Sequence, residues 1–260
     1  MNIRMLSSNA EQAMREIEQC VALQKAVGWE GEVVPPHVFR ADALSRIDSD
    51  IDLGYLIIAV EDDDQTVVGF ARVTHTGDPA CHWLHEIVVA PNNQSRGVGY
   101  LLMSGMQKAS CSLGAREILF TYDPFESQNG YLYLTKCGAK AIKVYENLYG
   151  EIHSSAHGNR LTHRFLVRWV LVNDTPISTA EHSALMQAPL VCEPTQLNDQ
   201  PRVRVEIPYT VQSLSEAEAV NWQRRVFPVL VAGINQHSYH ATAVLVEDRH
   251  SYLVLETRLL

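Results

Sequence analysis

The sequence predicts an α/β protein with a small C-terminal αβ extension, and three observations support this fold class. Helical and strand patterns alternate along the first half of the chain. The composition of the sequence changes near Asn173, beyond which proline and small polar residues replace the periodic pattern of apolar residues. The length of 260 residues suffices for one large domain, or for one of about 150 residues with an addition. With 46% hydrophobic and 20% charged residues, the composition excludes disordered and fibrous proteins.

The order of the elements follows from the periodicity of the apolar residues and from the turn and capping residues between the periodic runs. An apolar stripe behind the capping residues Ser8 or Asn9 predicts a first helix, which Gly28 ends. Runs rich in valine, isoleucine and threonine between turn residues predict strands. In the last strand of this region, alternate apolar residues share one face. The predicted elements are helices at 9–27, 39–47, 97–113 and 127–137, and strands at 55–60, 66–74, 81–89, 117–122, 140–148 and 164–172.

The C-terminal part has its own pattern. Residues 174–201 predict a linker or covering loop, because they are rich in proline and polar residues and lack periodicity. Beyond them, a strand at 203–207, a helix opened by a Ser215–Glu218 capping box, and a final hairpin are predicted. We therefore expect a main domain at 1–173 and a docked strand–helix–hairpin extension at 202–260. No internal repeat stands out, and whether the extension pairs between chains in a homodimer or closes a pocket stays open.

Charge and cysteine content exclude several kinds of partner. The net charge is −9 and no stripe of lysine and arginine appears, which argues against nucleic acid. The longest apolar runs are too short to span a membrane, and the first residues lack a secretion signal, so we expect a cytoplasmic protein. The five cysteines include no CxxC pair, so reduced thiols are expected. No metal site is expected either, since His153 and His157 lie in a polar loop without a third ligand.

One strand-to-helix junction suits a phosphate group. A strand ends before Pro91, and the loop Gln94-Ser-Arg-Gly-Val-Gly leads into the long helix. The first amides of a helix have no partners within it, and its macrodipole is positive there. A P-loop would need Gly-Lys-Ser/Thr, and a dinucleotide fingerprint would need a third glycine where Leu102 stands. The third alternative, the pyrophosphate loop of acyl-CoA enzymes, matches at every fixed position.

In this context the chain resembles the GNAT superfamily of acyl-CoA-dependent N-acyltransferases over about residues 3 to 172. The resemblance implies a mixed, largely antiparallel sheet flanked by helices, in which the fourth and fifth strands splay apart around pantetheine. It implies that Val88 and Val89 offer backbone hydrogen bonds to pantetheine and that Asn129 faces the pantetheine arm. It also implies that backbone amides of the loop bind the pyrophosphate, namely those of Gln94, Ser95, Arg96, Gly97, Val98, Gly99 and Tyr100.

A narrower resemblance covers nearly the whole chain. Five segments of this chain resemble the motifs of a little-characterised GNAT branch that also has a C-terminal extension. The branch has FDP, N, KLGA, YYG and TDRF motifs, and the corresponding segments here are Tyr122-Asp-Pro-Phe, Ser127-Gln-Asn, Lys136-Cys-Gly-Ala, Leu148-Tyr-Gly and Leu161-Thr-His-Arg. Some members of this branch are associated with N-acylation of amino acids, including succinyl transfer. The tyrosine that protonates the departing thiolate in many GNAT enzymes is replaced by Leu134, so the acid is missing or has moved to Tyr133 or Tyr131.

Four further residues are candidates for chemistry. Attack on a thioester requires a neutral amine, and Glu86, on the same face of its strand as Val88, is the candidate base. His85 is an alternative base, and a structural role of Glu86 in an ion pair also stays open. Asp123, where the fifth strand ends, is a candidate substrate contact or the cap of the following turn. Arg164 is a candidate for binding a substrate carboxylate, with a surface ion pair as the alternative.

These observations predict a transferase that moves an acetyl or longer acyl group, such as succinyl, from coenzyme A to a primary amine. The acceptor is expected to be a small molecule, for example an amino acid, which attacks directly in a ternary complex. Acetyl-CoA or another acyl-CoA is the only cofactor expected. Two alternatives remain: a module that binds CoA without transfer, and a nucleotide-dependent protein.

Overall fold

The computed structural model describes residues 1–48, 52–62, 65–152, 155, 157–158, 160–171, 179–197 and 200–257. The chain forms two compact units, residues 1–120 with 153–157 and residues 121–152 with 158–260. The division falls within one strand, whereas the composition changes near Asn173. In the described ranges, no helix combines the length and the apolar character that crossing a membrane requires.

Among its described residues, the first unit forms a five-stranded sheet with three helices. Its strands are β1 Asn2–Met5, β2 Gly54–Val60, β3 Val67–His75, β4 Cys81–Val89 and β5 Glu117–Tyr122, the last of which runs on into the second unit. Its helices are α1 Ala10–Ala26, α2 Pro36–Asp48 and α3 Val98–Ser112. The strands pair in chain order, antiparallel except for the parallel pair of β4 and β5. The mixed, largely antiparallel sheet expected from the sequence is confirmed.

The core of the first unit lies between the sheet and the helices α1 and α2. Asn9 caps α1, since its side-chain oxygen accepts a hydrogen bond from the Gln12 amide at 3.0 Å. The Phe39 ring of α2 packs edge-on against Phe70 of β3, with 5.4 Å between ring centroids. The strands contribute the remaining large side chains of this cluster, namely Leu56, Ile58, Val60, Val67, Phe70 and Val88.

The part of the second unit that the structure describes contains the other five strands and three helices. In chain order it has α4 Ser127–Gly130, a π-helical segment Tyr131–Lys136, β6 Lys140–Tyr145, β7 Arg164–Val170, α5 Thr179–Leu185, β8 Arg202–Ile207, α6 Glu216–Leu230, a second π-helical segment Val231–Gln236, β9 Tyr239–Glu247 and β10 His250–Thr257. The strand order is β7-β6-β9-β10-β8. The predicted capping box of α6 is present, because Ser215 and Glu218 exchange hydrogen bonds.

The expected covering loop contains a helix. Within residues 174–201, α5 places Leu185 against Ala243 and Leu245 of β9 and Val254 of β10. Leu197 is 1% exposed, so this part of the segment packs on the sheet instead of linking two bodies through solvent. The cysteines are thiols, three of them buried and two exposed. His153, which was weighed above as a metal ligand, lies outside the described residues.

Candidate active site

The loop between β4 and α3 is shaped to expose backbone amides. After β4, a 3₁₀ turn at Pro91–Asn93 is followed by Gln94, whose side-chain amide donates to the Val89 carbonyl at 3.1 Å. Gly97 then caps α3 with φ +84°, in the left-handed region that glycine adopts without strain. A Cβ atom at Gly97 would contact nothing within 4 Å, so the requirement for glycine comes from the backbone conformation alone.

The amides of residues 95–99 donate no hydrogen bond of good geometry to any described residue. Those of Val98 and Gly99 belong to the first turn of α3, where the helix macrodipole is positive. Arg96 is exposed beside them and adds a positive charge. Several convergent donors at a helix N-terminus form a binding site for an anion, and a diphosphate fits this chemistry.

Strands β4 and β5 pair over only part of their length. The parallel pairing joins Cys81–Trp83 to 117–119 and extends no further within the described first unit. At the same place β4 contains a bulge, since Val73 pairs with Leu84 and Arg72 with Glu86, which leaves His85 as the extra residue. The C-terminal half of β4 is therefore not paired to β5, which agrees with the splay that the resemblance implies.

The register decides which backbone groups of β4 point away from β3. The Ala90 amide donates to the Val68 carbonyl at 2.8 Å, so these two residues form a hydrogen-bonded pair. Hydrogen-bonded and non-bonded pairs alternate in an antiparallel ladder, so Val88, opposite Phe70, directs its backbone groups to β3. Val89 directs its N–H away from β3. Of the two valines, Val89 is therefore the one whose N–H points toward the unpaired side.

Glu86 lies in a buried chain of ion pairs. Its Oε1 accepts from Arg72 Nε at 2.6 Å, and Arg72 Nη1 contacts Asp42 of α2 at 2.6 Å. The other carboxylate oxygen, Oε2, accepts no hydrogen bond from the described residues. Burial raises the pKa of Glu86 above its ordinary value, although Arg72 opposes the shift. The sequence had suggested Glu86 but neither its partner Arg72 nor Asp42, the second acid that Arg72 contacts, since both come from other elements.

The two histidines of β4 differ in surroundings. His85, in the bulge, is exposed. His82 is 1% exposed, and its Nδ1 lies 3.1 Å from Ser110 Oγ and 3.4 Å from Tyr55 Oη. Its ring meets that of His75 edge-on at 4.5 Å. Burial and the neighbouring His75 lower the pKa of His82 to about 4, so His82 is neutral at pH 7 and belongs to the core of the unit.

This burial makes the stability of the protein depend on pH. The unfolded chain binds a proton at His82 near pH 6.5 and the folded chain only near pH 4, so stability falls as the pH drops through this window. The loss is at most about 3 kcal/mol. We expect His82→Phe to flatten the dependence of unfolding free energy on pH between 6.5 and 4, measured by urea denaturation. The control His37→Phe, at an exposed position of α2, should keep the wild-type slope, and an equally steep slope in both variants would contradict the assignment.

In the second unit, Asp123 lies immediately after β5 with one oxygen unused. Its Oδ1 accepts from the Phe125 amide at 2.9 Å, which caps the turn. Its Oδ2 is buried and accepts no hydrogen bond, with Arg164 Nη1 at 3.9 Å. A buried carboxylate oxygen without a donor is costly. Asp123 therefore caps the turn, as the alternative interpretation had it, and its second oxygen is buried without a hydrogen-bond donor.

Sequence reasoning missed two charged neighbours of Asp123. Glu126 follows on the same turn, where its amide donates to the Asp123 carbonyl at 3.0 Å. Its carboxylate lies 3.6 Å from Arg160 Nη2 and accepts a hydrogen bond from Gln212. Burial and Asp123 raise the pKa of Glu126 to about 7, with Arg160 opposing, so this group exchanges a proton near neutral pH. The Asp-x-x-Glu spacing after a strand was the available signal.

Two of the motif segments, both between β6 and β7, hold Arg164 in place. Its guanidinium lies over the Tyr149 ring at 5.3 Å, and Tyr149 Oη lies 2.6 Å from Thr121 Oγ1. The buried Thr162 fixes the turn, since its hydroxyl donates to Asn147 Oδ1 and accepts from the Tyr149 amide, both at 3.0 Å. The Leu148-Tyr-Gly and Thr162-His-Arg segments thus meet and position one arginine. The side chain of Arg164 is 13% exposed, which is more buried than a surface ion pair.

The remaining candidates lie on the helix after β5. Tyr133 is buried in the first π-helical segment, edge-on to Tyr122 at 5.4 Å. Burial raises its pKa well above the ordinary value, so its hydroxyl keeps its proton at neutral pH. Tyr131 is 37% exposed and lies near Lys136 Nζ, at 5.6 Å from the ring centroid. Asn129 is exposed on α4. In the described ranges, no group of three or more histidine, cysteine or acidic residues could hold a metal ion.

Comparison with known proteins supports a single family. The family model for the acetyltransferase (GNAT) family matches residues 14–150, and no curated protein matches the chain. The ribosomal-protein-S18-alanine N-acetyltransferase of Escherichia coli shares 11% identity over 67% of this chain and 96% of that chain, with a TM-score of 0.51. An aminoglycoside 6′-acetyltransferase of type Ii shares 18% identity over 67% of this chain and 100% of its own, with a TM-score of 0.49. Since the family model covers more than half of the chain, this protein belongs to the GNAT family of acetyltransferases.

Proposed function

We propose that this chain transfers an acyl group, acetyl or a longer group such as succinyl, from coenzyme A to the primary amine of a small molecule, for example an amino acid. The observation that carries the proposal is the run of amides at 95–99, which donate no hydrogen bond of good geometry to the described residues and stand at the N-terminus of α3. A diphosphate accepts hydrogen bonds from several amides at once, and each is strengthened by the phosphate charge.

In the proposed complex, acyl-CoA binds along β4 beyond its pairing with β5. The amides from Gln94 to Tyr100 lie near the diphosphate, and Val89 offers its backbone N–H to the pantetheine or the thioester carbonyl. Val88 adjoins this strand edge and packs its side chain into the core. Asn129, exposed on α4, is proposed to bind the pantetheine arm. A donor at the carbonyl stabilises the negative charge that develops there when the amine attacks.

Two groups are proposed for the proton transfers. Glu86 accepts the proton of the acceptor ammonium, directly or through a water molecule, by way of the oxygen that Arg72 does not hold. The neutral amine attacks the thioester carbonyl, so that the C–N bond forms and the C–S bond breaks. Tyr133 donates its hydroxyl proton to the departing thiolate, and the second proton of the amine nitrogen passes to the Tyr133 phenolate, directly or through water, which restores the hydroxyl. Burial raises the pKa of Tyr133, so the hydroxyl is protonated before the reaction but is a weaker acid than an ordinary tyrosine.

The acceptor is proposed to bind through opposite charges. Asp123 Oδ2 is suited to an ammonium group, and Arg164 is suited to a carboxylate through two parallel hydrogen bonds. Because Asp123 Oδ2 and Arg164 Nη1 lie 3.9 Å apart, one zwitterion such as an amino acid is proposed to contact both, with its ammonium group on Asp123 and its carboxylate on Arg164. The acyl chain length is not constrained by these residues.

We expect Arg164→Ala to weaken the binding of acceptors that carry a carboxylate, because the charge-assisted pair is lost. The KM for such an acceptor should rise by about tenfold or more, while the Kd for CoA stays unchanged. Steady-state kinetics with an amino acid and its amide as paired acceptors measures the effect. Arg168→Ala, on the exposed side of the same strand, is the matched control. Equal KM changes for the amino acid and the amide would count against carboxylate recognition.

Turnover tests the proposed function directly. Wild-type protein is mixed with acetyl-CoA or succinyl-CoA and a panel of amines, and release of the free thiol is measured. We expect thiol release that depends on one class of amine. CoA that stabilises the protein thermally without amine-dependent thiol release would instead indicate a binding module, and stabilisation by ATP or NAD but not CoA would indicate a nucleotide-dependent protein.

A further inference from the structure

The second unit contains the same succession of elements twice. A helix that ends in a six-residue π-helical segment leads to an antiparallel hairpin, first as α4, β6 and β7 and then as α6, β9 and β10. We call residues 127–145 with 164–170 the first repeat and residues 216–257 the second repeat. The strand order β7-β6-β9-β10 places the two hairpins side by side with β6 and β9 in the middle.

The backbone of the two repeats agrees in detail at an offset of 100 residues, as from 138 to 238. The two π-helical segments occupy 131–136 and 231–236. Each is closed by an amide that donates five residues back, Cys137 to Leu132 at 3.1 Å and His237 to Ala232 at 2.9 Å. The next residue has a positive φ in both, +70° at Gly138 and +59° at Ser238. The π-helical segment, the closing hydrogen bond and the residue with positive φ occur in the same order and at the same offset in both repeats, so the agreement does not rest on one position.

The repeats contact each other reciprocally. Thr135 of the first repeat bonds through its hydroxyl to both backbone groups of Val244, at 2.7 and 2.9 Å. Asn235 of the second repeat bonds through its amide to both backbone groups of Val144, at 2.9 and 3.0 Å. Between them, β6 and β9 pair antiparallel at Ala141 and Ala241. When residue i contacts j and the equivalent of j contacts the equivalent of i, the arrangement is that of a two-fold dimer, here within one chain.

The second repeat also reaches the arginine-bearing segment 160–164. Gln223 of α6 accepts from the Leu161 amide at 3.2 Å and donates to the Leu161 carbonyl at 2.8 Å, and Gln223 itself is 4% exposed. Phe227, one turn further along α6, stacks on the His163 ring with 3.6 Å between centroids. Segment 160–164 leads into β7 and carries both Arg160 and Arg164, so α6 fixes it at two points.

We propose that the C-terminal extension is a structural repeat of the half-domain before it, and that its helix α6 positions segment 160–164 so that Arg164 can bind the acceptor. The second part rests on the proposed function. Arg164 can bind a carboxylate only when its segment holds the guanidinium in one orientation. If the backbone of the segment becomes mobile, part of the binding free energy of the acceptor is spent on ordering it, and the affinity falls. Gln223 and Phe227 are positioning residues, since neither needs to touch the substrate.

The variant Gln223→Leu tests this inference, because it keeps the size of a buried side chain and removes both hydrogen bonds to Leu161. We expect the amides of segment 160–164 to exchange hydrogen faster than in the wild type. We expect KM for the acceptor to rise by about tenfold, with the Kd for CoA unchanged. The matched control Asn221→Leu changes an exposed amide on the same helix and should alter neither quantity. If Gln223→Leu does not fold, Phe227→Leu removes the ring stacked on His163 and is expected to give the same pattern.

Two results would overturn the inference. Unchanged exchange in segment 160–164 would show that α6 does not hold it, and faster exchange with an unchanged acceptor KM would show that holding it does not serve binding. Failure of the proposed function is recognised separately, because in that case the wild type itself transfers no acyl group to any amine.

Discussion

Replacing Gly97 with valine is expected to raise the Kd for CoA by roughly 100-fold. The φ of +84° at Gly97 sets the turn through which residues 95–97 enter the first turn of α3. A β-branched residue resists this conformation, so the loop would rearrange and the amides would no longer converge. Loss of about two charge-assisted hydrogen bonds, roughly 1.5 kcal/mol each, accounts for an effect of this size. Isothermal titration with CoA measures it.

The other end of α3 provides a matched control. Gly114 has a φ of +91°, and a Cβ atom there would contact nothing within 4 Å, as at Gly97. Gly114→Val should therefore cause similar backbone strain and a similar loss of stability, but it should leave the Kd for CoA at the wild-type value. Equal affinities of the two variants for CoA would show that the Gly97 turn does not bind the cofactor.

Replacing Glu86 with glutamine is expected to lower kcat by about 10² to 10⁴, the range of a well-positioned general base. The amide keeps the shape of the side chain and still offers an oxygen to Arg72, so the fold should persist. In the wild type the base must be ionised, so kcat falls as the pH drops through the raised pKa of Glu86. This acidic limb should disappear in the variant. Steady-state rates of thiol release, measured from acidic to alkaline pH, test both effects.

Glu16→Gln is the control for this prediction. Glu16 is also a buried acid of the first unit, where it contacts Arg4 at 2.8 Å. Its replacement should affect stability without changing the pH profile of kcat. If Glu86→Gln keeps the wild-type kcat and profile, Glu86 has only the structural role of its ion pair with Arg72. The proton would then go to another group, for which Glu126, with a pKa of about 7, and His85 are the candidates.

The sequence predicted those parts of the fold whose signals are local. The β2–β3 hairpin, the α3 helix and the alternation of buried residues in β7 follow from periodicity, and each is found close to its predicted bounds. Strand β1 was not predicted, because four residues with exposed ends give no periodic signal. The helix after β5 was predicted as one element, but most of it has π-helical hydrogen bonds that depend on packing in the second unit.

What the sequence did not reveal depends on contacts between distant residues. Arg72 lies 14 positions from its partner Glu86 and 30 positions from its other partner Asp42, and Gln212 lies 86 positions from Glu126, so no spacing rule connects them. The repeat is also hidden. Between residues 131–145 and 231–245, only Ala141 with Ala241 and Val144 with Val244 are identical. The backbone conformation has been kept while the side chains differ, because a π-helical turn and a hairpin accept many sequences of the right polarity.

Hydrogen exchange at the β4–α3 loop tests the central claim most directly. The amides of residues 95–99 donate no hydrogen bond of good geometry to the described residues and should therefore exchange rapidly in the protein without ligand. With CoA at saturating concentration, we expect these amides to be protected, and the same experiment on Gly97→Val at equal occupancy should show weaker protection. Protection that appears elsewhere in the first unit while residues 95–99 continue to exchange rapidly would contradict the claim that this loop binds the diphosphate of the cofactor.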